Sequence, residues 1–342
     1  MEKHTTIAVD LSKTVFEIAV SDYPGRVCER RRLTRGQMVR FFANRPPATV
    51  LLEACGSAHH WARTLQQLGH SVRLLPVHHT RRYVLRDKTD AADAFALLEA
   101  NRNEQILPVP VKTVAQQSLA ALHRIRSGWM QTRTARLNAL RGILRELGIS
   151  IPKGARHVLP ALKASLSDPD NPLPLSLHPT LLAVAAEIRA FEEKIKDLER
   201  QLTAAARSCP SATRHLSIPG IGLLTATALS AFVGDLSRFR SGRRFASSLG
   251  IVPREHSSGL RQHLGAITKR GDPYLRTLLI HGARSVLLAA SRAKHPDRLQ
   301  TWALRLQNRR GHNRTAVALA NKLARIVWAV STHQTEYRST AA

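Results

Sequence analysis

Asp90 and Asp93 stand three residues apart in the stretch KTDAADAFALLEA, Lys88 to Ala100. At helical spacing their carboxylates lie one turn apart on one face. Two more acids follow short apolar runs: Asp10 follows Thr5–Val9, and Glu53 follows Ala48–Leu52. Taken singly, each has a plain role. An aspartate ending a strand is a common turn residue, and Asp90 near a helix start favours the helix dipole. Taken together they suggest chemistry. Four gathered carboxylates repel one another unless divalent cations neutralise them, and hard oxygen ligands select Mg²⁺, with Mn²⁺ as a substitute. Two such ions about 4 Å apart stabilise the attacking and leaving oxygens of phosphoryl transfer.

A second candidate lies in GIVPREHSSGLRQHLGAITKRGDPYLRTLLIHGAR, Gly250 to Arg284. Ser257-Ser258-Gly259 reads as a small turn between basic flanks. Arg254, Arg261, Lys269, Arg270 and Arg276 are candidates to hold nucleic-acid phosphates. A serine hydroxyl placed among them can attack a phosphodiester, given a proton acceptor or a metal and cations to stabilise the transition state. His256 and His263 are near in sequence, but sequence alone does not make either one the base. The plainer reading is a Ser-Gly surface turn in a nucleic-acid-binding patch.

The elements that must position these groups differ along the chain. Residues 1 to about 105 carry strand signals at Thr5–Val9, Val15–Val20, Arg26–Leu33, Ala48–Leu52 and Ser71–Leu75. Helical signals fall at Gln37–Asn44 and Ser57–Leu68, and a further helix is capped by Thr89. This order predicts an α/β layer with a mixed sheet, and neighbouring strand ends converge on a crevice suited to chemistry. Residues 113–147 and about 180–206 read as long helices that could pair as an antiparallel coiled coil. Between them, the proline-rich residues 148–178 read as a linker or irregular crossover. The last third is helical. Its segment Ser217–Gly234 places Gly220 and Gly222 in a tight turn, either as a helix-hairpin-helix-like phosphate holder or as a glycine-tightened helix pair. The expected domains are 1–110, 111–208 and 209–342.

Composition favours a polyanionic partner. The 342 residues include 52 Lys and Arg against 24 Asp and Glu, a formal charge of +28. That surplus repels itself unless a polyanion such as nucleic acid neutralises it. Residues Arg238 to Arg276 alone hold nine Lys and Arg against Glu255 and Asp272. The cysteines, Cys28, Cys55 and Cys209, are odd in number and widely spaced. Neither a disulfide framework nor a zinc site is expected from them. With no apolar run of about 18 residues and no signal-peptide pattern, the expectation is a cytoplasmic protein without a membrane partner.

The strand–Asp, strand–Glu and helix D-x-x-D order, followed by the long helices and the serine segment, resembles the DEDD-type insertion-sequence transposases. This is the IS-one-ten family, which includes a pilin-gene invertase. The segment Pro253, Ser257, Ser258, Gly259 and the later Gly265, Ile267, Thr268, Lys269, Gly271 and Asp272 are similar to the family's serine motif. Where many members have two glycines after the serines, this chain has Gly259-Leu260, and a leucine restricts the backbone there.

The resemblance implies an RNase H-like (RuvC-like) N-terminal domain, a coiled-coil linker and a helical C-terminal transposase domain. It puts the metal-holding DEDD set on Asp10, Glu53, Asp90 and Asp93, and the nucleophile on Ser258 rather than its neighbour Ser257. It implies Mg²⁺-dependent strand cleavage and exchange on element ends and target DNA. A structured noncoding guide RNA (a bridge RNA), a dimer or tetramer, and a nucleoid-associated bacterial location go with it. Site-specific inversion, a RuvC-like endonuclease with a structural serine, and a non-enzymatic nucleic-acid binder are the alternatives.

Overall fold

A computed structural model describes residues 5–85, 89–170 and 172–339. The chain divides into two compact units, Met1–Val114 and Ala115–Ala342. Among the described residues, no helix is long and apolar enough to cross a membrane. Cys28, Cys55 and Cys209 are free thiols.

The first unit runs β1 (Thr6–Asp10), β2 (Val15–Ser21), β3 (Glu29–Thr34), α1 (Arg35–Ala43), β4 (Thr49–Glu53), α2 (Ala58–Gln67), β5 (Ser71–Leu75), α3 (Val77–Thr80) and α4 (Asp90–Asn101). Its sheet has five strands in the order β3-β2-β1-β4-β5. β1 pairs antiparallel with β2 and parallel with β4, so the expected mixed sheet is present. Parallel strands are buried on both faces, which is why β1 and β4 read as unbroken apolar runs. Alternation then sorts their side chains. Ile7, Val9, Val50 and Leu52 pack with Met38, Phe42, Trp61 and Leu65 of α1 and α2. Ala8, Ala19, Leu51 and Leu75 face the other way, against Ala94, Leu97 and Leu98 of α4. Ala8 and Ala19 are small, which lets α4 lie close on β1 and β2.

The second unit contains α5 (Val114–Glu146), α6 (Val158–Ser167), α7 (His178–Arg207), α8 (Pro210–Leu216), α9 (Leu223–Phe232), α10 (Gly242–Ser248), β6 (Pro253–Glu255), β7 (Leu264–Ile267), α11 (Pro273–Arg292), α12 (Arg298–Arg310) and α13 (His312–Thr332). Residues from α8 to α13 build its main core, including Leu229, Phe245, Leu279, Leu319 and Leu323. α5 and α7 run antiparallel. Arg126 pairs with Glu199, Arg133 with Glu192 and Arg136 with Glu187, one number rising as the other falls. Such partly exposed pairs contribute only about 0–1 kcal/mol each. The far end is held by packing instead: Leu137, Leu140 and Leu144 meet Leu181, Ala185 and Ile188. α6 adds Val158 and Leu162 to this cluster. The expected irregular crossover therefore contains a helix. Pro160 sits in its first turn, where a missing N–H costs nothing.

A buried chain of hydrogen bonds roots α5 in the main core. His123 Nδ1 is 3.0 Å from the Tyr274 hydroxyl of α11, and its Nε2 is 3.0 Å from Thr227 Oγ1 of α9. Thr227 donates its own proton to Leu223 O at 2.7 Å. His123 must then donate from Nε2 and accept from Tyr274 at Nδ1. Burial, and secondarily the charge of Arg126, pushes the His123 pKa down to about 4, so the ring is neutral.

The Gly220 turn serves packing. A Cβ there would lie 2.7 Å from Gly282 O, and one on Gly282 would lie 1.9 Å from Gly220 O. The two glycines let the turn before α9 and the α11 backbone cross in contact.

Candidate active site

The sheet's pleat carries the acids. Asp10 continues the parity of Ala8, and Glu53 that of Leu51, so both belong to the face covered by α4. Asp93, Ala96, Leu97 and Ala100 recur at i, i+3, i+4 and i+7 and form one face of α4. Asp10, Glu53 and Asp93 line a single narrow cleft with Thr80 and Arg81. Asp90 lies one turn earlier. It is exposed, and one carboxylate oxygen is 3.6 Å from Arg32 Nη2 of β3. The fold thus brings three of the four predicted carboxylates to one cleft and leaves the fourth outside its lining, near a surface arginine.

Two lining residues went unseen in the sequence. Thr80, 4% exposed, donates from Oγ1 to Glu53 Oε1 at 3.0 Å, with Val77 O also at 3.0 Å. It fixes one oxygen of the Glu53 carboxylate. Arg81 supplies a cation beside the acids. The signal was present: His78, His79, Thr80, Arg81 and Arg82 follow the end of β5, where a mixed sheet opens its crevice.

The carboxylates are hard donors of the kind that suits a divalent cation. Among the described residues, no three His, Cys, Asp or Glu side chains are grouped closely enough to hold a metal ion. The three acids share a cleft without forming one coordination sphere.

The serine segment of the second unit is a two-stranded ribbon, and no strand was expected there. β6 and β7 pair antiparallel. Ser258 and Arg261 exchange backbone bonds of 3.2 and 3.1 Å, closing a two-residue turn on Gly259-Leu260. Gly259 takes φ +57° and Leu260 does not need a positive φ. A first central glycine is what a turn of the II′ kind requires. The second glycine of the family pattern is therefore dispensable here, and Leu260 simply points into solvent at 107% relative exposure.

The two serines differ. Ser257 Oγ donates to Glu255 Oε1 at 2.7 Å and accepts from His263 N at 3.2 Å. Ser258 joins the ribbon through its backbone alone, and its exposed hydroxyl makes no hydrogen bond among the described residues. His256 and His263 face each other across the strands, joined by a 2.9 Å backbone bond, and neither imidazole bonds Ser258.

Arg254, Arg261, Lys269 and Arg270 are exposed along this ribbon and its return. Arg276 is half-buried, and its Nη1 donates to Leu249 O and Lys269 O at 3.2 Å each. That bond, with Lys269 N donating to Gly250 O at 3.1 Å, holds Lys269 at φ +55°, an uncommon conformation for a non-glycine residue. Below the ribbon two glycines permit backbone crossings. A Cβ on Gly271 would lie 1.9 Å from Ser248 O, and one on Gly250 would lie 2.0 Å from Arg270 O. Asp272 caps α11, accepting from Tyr274 N and Leu275 N at 2.7 and 3.0 Å.

Both halves match known families. Residues 7–149 match the model named for DEDD transposases of the IS110 type, described as Transposase, and residues 212–300 match that described as Transposase IS116/IS110/IS902 family. The DEDD type implies use of a divalent metal in general. The protein named "Probable family 20 transposase" of Pseudomonas aeruginosa is 44% identical over 97% of this chain and 98% of its own. The transposase for insertion sequence element IS1111A of Coxiella burnetii is 39% identical over 97% of this chain and 91% of its own. The pilin gene-inverting protein of Moraxella bovis is 30% identical over 42% of this chain and 45% of its own. Matched along nearly its whole length, the chain belongs to the IS116/IS110/IS902 family of transposases, enzymes that cut and rejoin DNA.

Proposed function

We propose that the chain exchanges DNA strands through a serine nucleophile, Ser258, working with a carboxylate site of RNase H-like (RuvC-like) type. The observation that carries this reading is the contrast between the two serines. Ser257 is tied down by Glu255 and His263, while Ser258 stands at the tip of an exposed ribbon with its hydroxyl uncommitted. In strand cleavage the Ser258 oxygen attacks a DNA phosphorus, its proton leaves to a base, and the bond to one strand's sugar oxygen breaks. The product is a phosphoserine link and a free hydroxyl end. Attack by another strand's hydroxyl on that link rejoins the DNA and returns Ser258. One phosphodiester is exchanged for another, so no nucleotide cofactor is consumed. Arg254, Arg261, Lys269 and Arg270 would clamp the backbone, and Arg276 would hold the loop that presents Lys269.

In the first unit, Asp10, Glu53 and Asp93 line one cleft and are the residues that would hold Mg²⁺ or Mn²⁺, with Asp90 one turn away on α4 as the fourth member of the set. When bound, the metal would polarise phosphate oxygens as a Lewis acid. Thr80 keeps the Glu53 carboxylate turned into the cleft. The sheet order, with β1 central and Asp10 and Glu53 on adjacent parallel strands, supports the RNase H-like reading.

The surplus positive charge supports a role for a structured guide RNA, in which base pairing reads sequence while the protein grips backbones. Strand exchange needs several active sites at once, and the α5/α7 pair is the candidate dimer or tetramer surface. A cytoplasmic, nucleoid-associated location follows from the substrate. Site-specific inversion uses the same chemistry, and the pilin gene-inverting relative keeps it as a second outcome.

The test is a denaturing gel with labelled donor and target DNA, flanking-element RNA and Mg²⁺. A protein–DNA adduct should form with the parent and with Ser257→Ala, and vanish with Ser258→Ala and Asp10→Ala. Cleavage without an adduct, indifferent to Ser258→Ala, would leave a metal-dependent nuclease instead.

A further inference from the structure

Beyond the residues assigned to either site, the second unit carries a stretch of unrelieved positive charge. Arg298 to Thr335 contains seven Lys and Arg and no Asp or Glu. On α13, Arg314, Ala318, Asn321, Lys322 and Arg325 recur at helical spacing and line one cleft of about 550 Å³. Its far wall is formed by Pro253 and Ile267, the base of the serine ribbon. Lys322 and Arg325 also line a second cleft of about 500 Å³, which Arg243 joins. The two clefts are therefore one groove along α13. Gly242 brings the α10 start against α13, since a Cβ there would lie 3.1 Å from the Arg325 Cα.

Among the described residues, the cations of this groove have no carboxylate partners. Arg314, Lys322 and Arg325 make no ion pair among the described residues. Lys322 rests over the Trp302 ring, its Nζ 4.3 Å from the centroid. Burial, then the charges of Arg325 and Arg298, lower its pKa. Two acids close to this region, on the ribbon and before α12, are engaged elsewhere. Glu255 takes the Ser257 proton, and Asp297 caps α12. Cations gathered in a concave surface without counter-charge attract a polyanion. Their spread is matched as well: Arg314 to Arg325 covers about 17 Å of helix axis, about five phosphate spacings of one strand.

We propose that this groove seats the phosphodiester backbone of a nucleic-acid strand and leads it to the base of the serine ribbon. Asn321 ties the two places together, donating from Nδ2 to Ile251 O at 3.1 Å. The inference rests on the chain being an enzyme of nucleic acids, and not on the assignment of Ser258.

The experiment is equilibrium binding against salt concentration, in a Ser258→Ala background that cannot form an adduct. The probes are a labelled DNA single strand, an RNA single strand of the same sequence, and the DNA duplex. The triple variant Arg314→Gln, Lys322→Gln, Arg325→Gln should lose three backbone contacts. Its log–log salt slope should fall by about 2 on a single strand or about 3 on a duplex. The polymer showing the loss identifies the strand as DNA, RNA or duplex. The charge-retaining variant Arg314→Lys, Lys322→Arg, Arg325→Lys should bind as the parent does. If the triple variant does not fold, Arg314→Gln and Arg325→Gln alone, both at exposed positions, should each lower the slope by about one contact. An unchanged slope for all three polymers in a folded variant overturns the groove and leaves the serine chemistry to its own assay. If the parent binds none of the three, the reading of the chain as a nucleic-acid enzyme falls with it.

Discussion

The carboxylate cleft and the serine ribbon are built on opposite principles. The acids extend strands whose neighbours Ala8, Val9, Leu51 and Leu52 are fully buried, so their backbone positions are set by the core. Ser258 sits at the tip between two strands that bury almost nothing. Its geometry comes from below: glycine crossings, the Asp272 cap, and a lysine held at positive φ by Arg276. A site that must hold charged groups in a fixed array belongs on a sheet. An exposed ribbon with a rigid foot is the setting that the proposed nucleophile, Ser258, would need to reach a bulky polymer.

The largest expected difference between the units is their response to acid. His123 and His215 in the second unit are both pushed down to about 4, chiefly by burial. Unfolded histidine titrates near 6.5. Between these values the unfolded chain binds more protons, so stability is full above pH 6.5 and is lost as pH falls toward 4. The loss is on the order of 3 kcal/mol per histidine. Calorimetry from pH 7 to 4 should show the second unit's transition falling, and His123→Gln should remove part of the slope.

Next comes the ribbon's foot. Gly271→Ala places a methyl on Ser248 O at φ +92°. It should destabilise the second unit by about 2–4 kcal/mol and abolish strand exchange, while the first unit melts unchanged. Equal loss in both units would erase the proposed division.

The smallest effect is expected in the carboxylate cleft. Thr80→Val removes the hydroxyl that holds Glu53 and should cost about 1 kcal/mol of first-unit stability. Metal-dependent cleavage should fall with it, and Thr80→Ser should restore both. Activity indifferent to Thr80→Val would show that Glu53 needs no orienting.

What the sequence revealed followed the same division. Buried parallel strands announce themselves as apolar runs, so Asp10 and Glu53 could be placed at strand ends before any coordinates. Ser71–Leu75 matched β5 at both ends. The ribbon was missed because its strands are exposed on both faces, which leaves no alternation to detect. Thr80 was missed because its importance is one hydrogen bond to a residue 27 positions away. α6 was masked by Pro160, which reads as a breaker until the helix start is known to be Val158. The family resemblance supplied the choice between Ser257 and Ser258, which spacing alone left open.

The antiparallel α5/α7 pair has a consequence for how such a protein can diverge. Because its Arg–Glu rungs match a rising number to a falling one, residues added to both helices between two rungs keep every other rung in register. About 18 residues make five whole turns, so paired insertions of that size would also restore the facing stripe. The arm's length is thus a free parameter of lineage. It can be stretched or shortened while the His123 anchor in the main core and the apolar cluster that closes the far end are kept.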